Sequence, residues 1–319
     1  MKCINKWICL SLLIAVSCVS GCGKTSAAIE QPYDVYATAA DFGLSSNGTA
    51  EAKSYFASNL CVSEDVAIGT DSTDSQVAEG AGTFNLETNT VVYAKNLYER
   101  LYPASTTKIL TAYIALKYCD DLDVNQASDS SVCNLKAGDV IRLRDLLYGL
   151  MLRSGNDAAV AIAEYISGDV DSFAALMNQE AAAMGATRSH FVNPNGLPDE
   201  NHYTCVYDMY LIFSNAIKND TFVSIIGTTS YDVTYTDASG EAVTHTWENT
   251  NQYLTGNATT PDGFQIVGGK TGTTGEAGYC LVLYSYNPSG QPIISIVFKA
   301  DGKSNLYLLM NEMLQGFAI

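Results

Sequence analysis

The sequence predicts an α+β fold: a mainly antiparallel sheet flanked by helices, with a helical subdomain inserted. Three observations lead there. β-rich runs lie on either side of a long central stretch with helical apolar spacing. One more helical segment follows the last of these runs. Apolar residues make up 47% of the 319 residues, enough for a sizeable core. Taken in order, residues 82–93 hold two short β-rich runs around Glu87-Thr-Asn, a hairpin signal. Residues 105–119 place apolar side chains at 109, 110, 113, 114 and 116, a helical stripe. Helical stretches follow at 141–152 and 157–167, broken at Ser154-Gly155, and at 170–185, ended by Gly185. Beyond 220 the pattern turns to strands at 230–236, 242–247, 264–269, 277–286 and 292–299, and a closing helix covers about 303–316. This order predicts one sheet built from both chain ends, with the helices inserted between.

The first 22 residues read as a targeting segment. Lys2 and Lys6 form a basic start, and the apolar run from Trp7 to Val19 is too short to span a bilayer comfortably. Val19-Ser20-Gly21-Cys22 resembles a bacterial lipobox, which makes Cys22 the expected lipidated N-terminus and ties the chain to a membrane. An ordinary signal peptide or an uncleaved anchor fits the same residues, and all three put the rest outside the cytoplasm. The expected layout is a leader over 1–22, a tether and loosely structured lead-in over 23–77, and a functional domain over 78–319. Of nine cysteines four lie in the leader, leaving Cys61, Cys119, Cys133, Cys205 and Cys280. An odd number outside the cell leaves at least one thiol free or paired between molecules. A Cys119–Cys133 bridge and buried unpaired thiols are both open. The net charge of −17 argues against nucleic-acid binding, which needs a basic face.

Three short motifs carry chemistry. Ser105-Thr-Thr-Lys108 sets a hydroxyl and an amine a helical turn apart on one face. Pro103-Ala104 signals helix entry, placing Ser105 at a helix N-terminus, where backbone N–H groups favour negative charge. A serine that is to be acylated needs such a place, with a base in reach and donors for an oxyanion. Alone the motif is weak, since about one S-x-x-K arises by chance in a chain this long. Ser154-Gly155-Asn156 sits at the helix break, where a hydroxyl and an amide can face a cleft together. Ser45–Asn47 and Ser285–Asn287 share its pattern and read as turn chemistry. Lys270-Thr271-Gly272 follows the run 264–269: a fixed cation, a hydroxyl able to bind a carboxylate, and a glycine that lets a substrate backbone approach. Its chance odds are roughly one in fifteen.

Together and in this order, the motifs resemble the serine penicillin-binding proteins and serine β-lactamases. Their surroundings at 102–111, 146–159, 191–197, 207–209 and 268–279 are similar to low-molecular-mass D-alanyl-D-alanine carboxypeptidases, over about residues 78–317. The resemblance implies the penicillin-binding/serine β-lactamase-like fold, with its site in the cleft between the sheet and the helical subdomain. It makes Ser105 the nucleophile and Lys108 its general base, an amine whose ordinary pKa of about 10.4 must be lowered by desolvation and a neighbouring cation such as Lys270. Ser154 would relay the proton to the leaving D-alanine, and Asn156 would orient the substrate amide or Lys108. Lys270, Thr271 and Thr273, with Gly272 between them, would receive the terminal carboxylate, and the N–H groups of Ser105 and Thr273 would form the oxyanion hole. The implied partners are peptidoglycan stem peptides ending in D-Ala-D-Ala, and β-lactam antibiotics as covalent inhibitors. No cofactor and no metal are implied. Some members continue into a β-rich domain and an anchoring helix, whose role the lipid at Cys22 would take.

Rival readings stay in view. A class A β-lactamase needs a glutamate in an E-x-x-L-N loop, and neither Glu164, Glu180 nor Glu200 is followed by that pattern. A D,D-transpeptidase shares all three motifs. A non-catalytic wall-binding lipoprotein has no use for a base beside a nucleophile. His190, His202 and His245 lack zinc-peptidase spacing and read as surface or core residues.

Overall fold

The computed structural model describes residues 59–64, 66–70, 77–122, 133 and 135–319, with the backbone of 125–128. The expected leader over 1–22, Cys22 included, and most of the expected lead-in over 23–77 lie outside the described residues. The hairpin is β1 (Ala78–Asn85) and β2 (Thr90–Lys95), and its turn is capped by Asn85, whose Oδ1 accepts from the N–H groups of Glu87 and Thr88. A 3₁₀ turn (Ala104–Thr107) leads into α1 (Lys108–Tyr118). The helical region continues with α2 (Leu143–Tyr148), α3 (Asn156–Ser167), α4 (Val170–Ala183), α5 (Val206–Ala216) and α6 (Asp220–Ile226). The chain then returns through β7 (Gln265–Thr274), β8 (Gly278–Tyr286) and β9 (Pro292–Ala300), and closes with α7 (Lys303–Phe317).

The main sheet is antiparallel in the order β2-β1-β9-β8-β7, so both ends of the domain build it, as expected. Its inner strands are apolar on both faces because both faces are covered. Val282, Tyr284, Ile294, Ile296 and Phe298 pack toward the helical region. Their neighbours Leu281, Leu283, Ile293 and Val297 pack under α7 with Leu306, Met310 and Met313. β7 is left as an edge strand facing the Ser105 turn.

The structure differs from the expected elements in four places. Residues 139–142, expected in part as the start of a helix, form β4 (Asp139–Arg142), paired with β3 (Asn125–Ser128) and β5 (Ser230–Thr236). An apolar run this short does not separate strand from helix, and cross-strand pairing decides. The strands at 230–236 and 242–248 therefore leave the main sheet for a second, four-stranded one, β3-β4-β5-β6, where β6 is Ala242–Glu248. Third, α5 and α6 were not expected. Val206, Met209, Tyr210, Leu211, Ile212 and Phe213 are all buried, so α5 lacks the polar stripe that reveals a surface helix. Fourth, β7 runs on through Lys270–Thr274 instead of stopping at 269. Part of the expected lead-in is also packed: Tyr207 Oη donates to Cys61 O at 2.8 Å, and Ile68 bridges Ala94. The five cysteines beyond residue 22 are free thiols, four of them buried, and Cys119 and Cys133 form no bridge.

Candidate active site

The nucleophile turn is tightly held. Ala104 has φ +48°, a left-handed conformation unusual for a residue with a Cβ, and the buried turn around it over-determines that geometry. Ser105 is half-buried, and Lys108 at the start of α1 is fully buried. Lys108 Nζ lies 3.0 Å from Ser105 Oγ, 2.8 Å from Asn156 Oδ1 and 2.5 Å from the carbonyl of Asn195. Proton counting fixes what this means. The two amide carbonyl oxygens can only accept, so a neutral amine spends both N–H groups on them. Its lone pair is then left for the Ser105 hydroxyl proton. Burial, and next the positive charge of Lys270, hold the Lys108 pKa well below the ordinary lysine range, favouring this neutral form.

Ser154 is presented by an irregular hook. α2 runs into a π-helical turn (Gly149–Arg153), and Ser154 ends it at φ +63° while the Gly155 N–H returns to Gly149 O at 3.0 Å. The buried carboxylate of Asp157 accepts from the N–H groups of Cys133 at 2.7 Å and Ala158 at 2.9 Å, fixing the start of α3 behind the hook. Asn156, the first residue of α3, thereby turns its amide to Lys108.

The third side is β7. Lys270 is 1% exposed, and its Nζ donates to Ser154 Oγ at 3.0 Å and Thr271 O at 2.9 Å. Burial lowers its pKa to about 7. Gly272 is needed for close approach, but to the protein's own turn: a Cβ there would lie 3.0 Å from Ser105 N and 3.1 Å from Pro103 O. Thr271 Oγ1 pairs with Thr250 Oγ1 at 2.6 Å, and the Thr273 hydroxyl donates to Gly272 O at 2.8 Å.

These three sides enclose a cleft of about 280 Å³, lined among others by Ser105, Ser154, Thr250, Thr271, Thr273 and Lys303. Gly272 lines it too, while Lys108, Asn156 and Lys270 stand behind it through the hydrogen bonds above. All the expected site residues of the domain thus meet here. The described lining includes no carboxylate, although the chain has 34 acidic residues. Glu180 is occupied elsewhere, accepting from Lys117 and Tyr118 at 2.6 Å, and Glu164 and Glu200 are exposed. Sequence reasoning missed Asn195, Thr250 and Lys303. Asn195 acts through its backbone carbonyl, which no residue type announces. Lys303 did carry a signal: it opens α7, where a cation opposes the helix dipole, and such local conflicts gather at functional sites.

A two-sheet α+β fold with a serine, two buried lysines and a second serine around a cleft whose described lining carries no carboxylate is an arrangement suited to acyl transfer through a serine. A family profile described as D-alanyl-D-alanine carboxypeptidase matches residues 69–302, and the chain belongs to that family. The D-alanyl-D-alanine carboxypeptidase DacF of Bacillus subtilis (strain 168) is 32% identical over 249 residues, 74% of this chain and 61% of that relative. The D-alanyl-D-alanine carboxypeptidase of Streptomyces sp. (strain K15) is 33% identical over 265 residues, 76% of this chain and 88% of the relative. The crystal structure of the Streptomyces K15 DD-transpeptidase matches with a TM-score of 0.69 at 31% identity, covering 76% of this chain and 98% of that one. The D-alanyl-D-alanine carboxypeptidase DacD from Francisella tularensis gives a TM-score of 0.67 at 27% identity, covering 80% and 73%. The chain spans about three fifths of the Bacillus relative's length.

Proposed function

We propose that this protein is a serine-type D-alanyl-D-alanine carboxypeptidase acting on peptidoglycan stem peptides. Ser105 Oγ attacks the carbonyl carbon of the penultimate D-alanine while its proton passes to the Lys108 lone pair. The peptide C–N bond breaks, and the departing D-alanine amine takes a proton through Ser154, which Lys270 holds. Water then cleaves the ester and restores Ser105. A β-lactam opens on the same serine, but its leaving amine stays tethered, so the adduct persists. The observation that carries the reading is the hydrogen-bond set of Lys108, which leaves one lone pair and aims it at Ser105. The lining without carboxylates supports a substrate that ends in a carboxylate, received by Lys270, Thr271 and Thr273 with Lys303 nearby. It also supplies no glutamate to activate a deacylating water, which disfavours a β-lactamase. We read residues 1–22 as a leader ending at lipidated Cys22, 23–77 as tether and lead-in, and 78–319 as the catalytic domain. The enzyme then works on the outer face of the cytoplasmic membrane, or in the wall if the leader is simply cut.

Amidating the C-terminus of a D-Ala-D-Ala peptide tests the carboxylate site. A charge-assisted contact of about 2–4 kcal/mol in the transition state corresponds to a drop in kcat/KM of roughly 30- to 1000-fold. Released D-alanine and D-alaninamide measure it, and Lys270→Ala should shrink the difference. Equal cleavage of acid and amide by the wild type would remove the carboxylate site. The names of the Streptomyces K15 proteins, one a carboxypeptidase and one a DD-transpeptidase, favour a second reading in which an amine competes with water for the acyl-enzyme. Adding an acceptor amine to the same assay separates the two by its cross-linked product.

A further inference from the structure

His202 takes no part in the chemistry above, yet it is 1% exposed and lies beside the Ser105 turn. Its ring is bonded at both ends. The Val192 N–H donates to Nδ1 at 3.1 Å, so Nδ1 carries the lone pair and Nε2 the proton. Nε2–H then donates to Thr107 Oγ1 at 2.9 Å, between Ser105 and Lys108 in the chain. The segment it grips, 191–197, supplies the Asn195 carbonyl to Lys108. That segment lies flush against the nucleophile turn: Gly196 has φ +84°, and a Cβ there would fall 1.8 Å from Ala104 O. Three other bonds join it to α1 and α4. Thr111 Oγ1 donates to Pro194 O at 2.7 Å, and Asn178 exchanges two bonds of 2.8 Å with the backbone of Phe191. His202 itself is held by its own N–H to Asp199 O at 2.9 Å and by the edge of its ring against Phe191.

We infer that His202 is a positioning residue for Lys108: its neutral ring, acceptor on one side and donor on the other, sets the gap between the nucleophile turn and the carbonyl that orients the catalytic amine. The inference rests on the acyl-transfer reading above. The charged or titratable groups facing the ring are Asp199, His190 and Lys108; burial, with His190 and Lys108 acting in the same direction, outweighs Asp199 and lowers its pKa to about 4. The ring is therefore uncharged near neutral pH. Without it, the Val192 N–H and the Thr107 hydroxyl lose their partner, and segment 191–197 can move off α1. Lys108 then loses its Asn195 contact and gains water, which raises its pKa toward the ordinary range.

The test is the second-order rate of acylation by a fluorescent penicillin, from about pH 5 to about pH 10, with thermal melting measured alongside. His202→Leu should acylate about 10- to 100-fold more slowly near neutral pH, with its acid limb displaced to higher pH. His202→Gln offers an amide oxygen and an amide N–H in place of the two ring nitrogens. It should restore the limb and bring the rate to within about threefold of wild type. Thr107→Val cuts the same bond from the other end with little change in volume, and should match His202→Leu; it keeps the test open should that variant not fold. Lower melting temperatures with wild-type rate and limb in the folded protein would overturn the positioning role. A wild type that is not acylated at all would instead sink the acyl-transfer reading, and this inference with it.

Discussion

Burying an ammonium group costs several kcal/mol unless it is paired or gives up its proton, and this domain buries two beside one cleft. Lys108 and Lys270 make their hydrogen bonds to uncharged oxygens alone, so with no anion bound relief comes by losing the proton, and a carboxylate arriving beside Lys270 would favour its charged form again. For Lys270 the consequence extends to stability. The unfolded chain keeps this proton up to its ordinary pKa of 10.5, whereas the folded chain gives it up at about 7. Between those values the unfolded state binds more protons, so stability rises with pH across that window, and the burial cost is borne in full below it. Lys270→Met keeps the volume and removes the cost. Its melting temperature at pH 7 should exceed that of wild type by an amount equivalent to about 1–4 kcal/mol, with a flatter rise up to pH 10.5. Thermal melts at pH 7 and near 10 check this, and a variant less stable than wild type at pH 7 would contradict it.

Elements place these residues, and their irregularities do the aiming. The nucleophile turn and the Ser154 hook each contain a left-handed residue with a side chain, and β7 comes against the first of them through Gly272. Gly272→Ala would press a methyl group between the strand and the Ser105 backbone. A shift of a few tenths of an ångström should slow acylation by about 10- to 100-fold while leaving the fold in place. Stopped-flow acylation together with circular dichroism reads both, and a wild-type rate would show that the close approach is not needed. The three motifs were legible in the sequence because each joins scarce residue types at fixed spacing. The hairpin, α1, α3, α4 and α7 were legible from apolar spacing together with turn residues and glycine breaks. β7 was cut short because Gly-Gly-Lys-Thr-Gly-Thr-Thr has no apolar alternation: one side of this edge strand faces the cleft. The division into two sheets was hidden because β5 and β6 look like any other exposed hairpin until β4 is seen beside them. Asn195 and His202 were hidden for a third reason, since their contribution is a backbone carbonyl and a ring held by tertiary contacts.

At the scale of the molecule, the folding topology assembles the site. Ser105 follows the first hairpin, Ser154 lies within the helical region, and Lys270 is on a strand near the chain's end, so the cleft exists only once both ends have paired in one sheet. Around it the chain is strongly acidic, with a net charge of −17, while the described lining of the cleft carries lysine and hydroxyls. On the proposed function, that contrast would draw an anionic chain end toward the cleft and away from the rest of the surface. On the proposed reading of residues 1–22 as a leader ending at a lipidated cysteine, Cys22→Ser should release the protein from the membrane fraction or block its maturation. Unchanged partition, with an unmodified N-terminal peptide in the mass spectrum, would favour plain secretion or an uncleaved anchor. The central claim is that Ser105 is acylated with Lys108 as its base. Intact-mass spectrometry after incubation with penicillin, followed by peptide mapping, tests it most directly. The account predicts one adduct on the peptide containing Ser105, absent in Ser105→Ala and formed several orders of magnitude more slowly in Lys108→Ala. An adduct that persists in Ser105→Ala, or no adduct on the wild type, would contradict it.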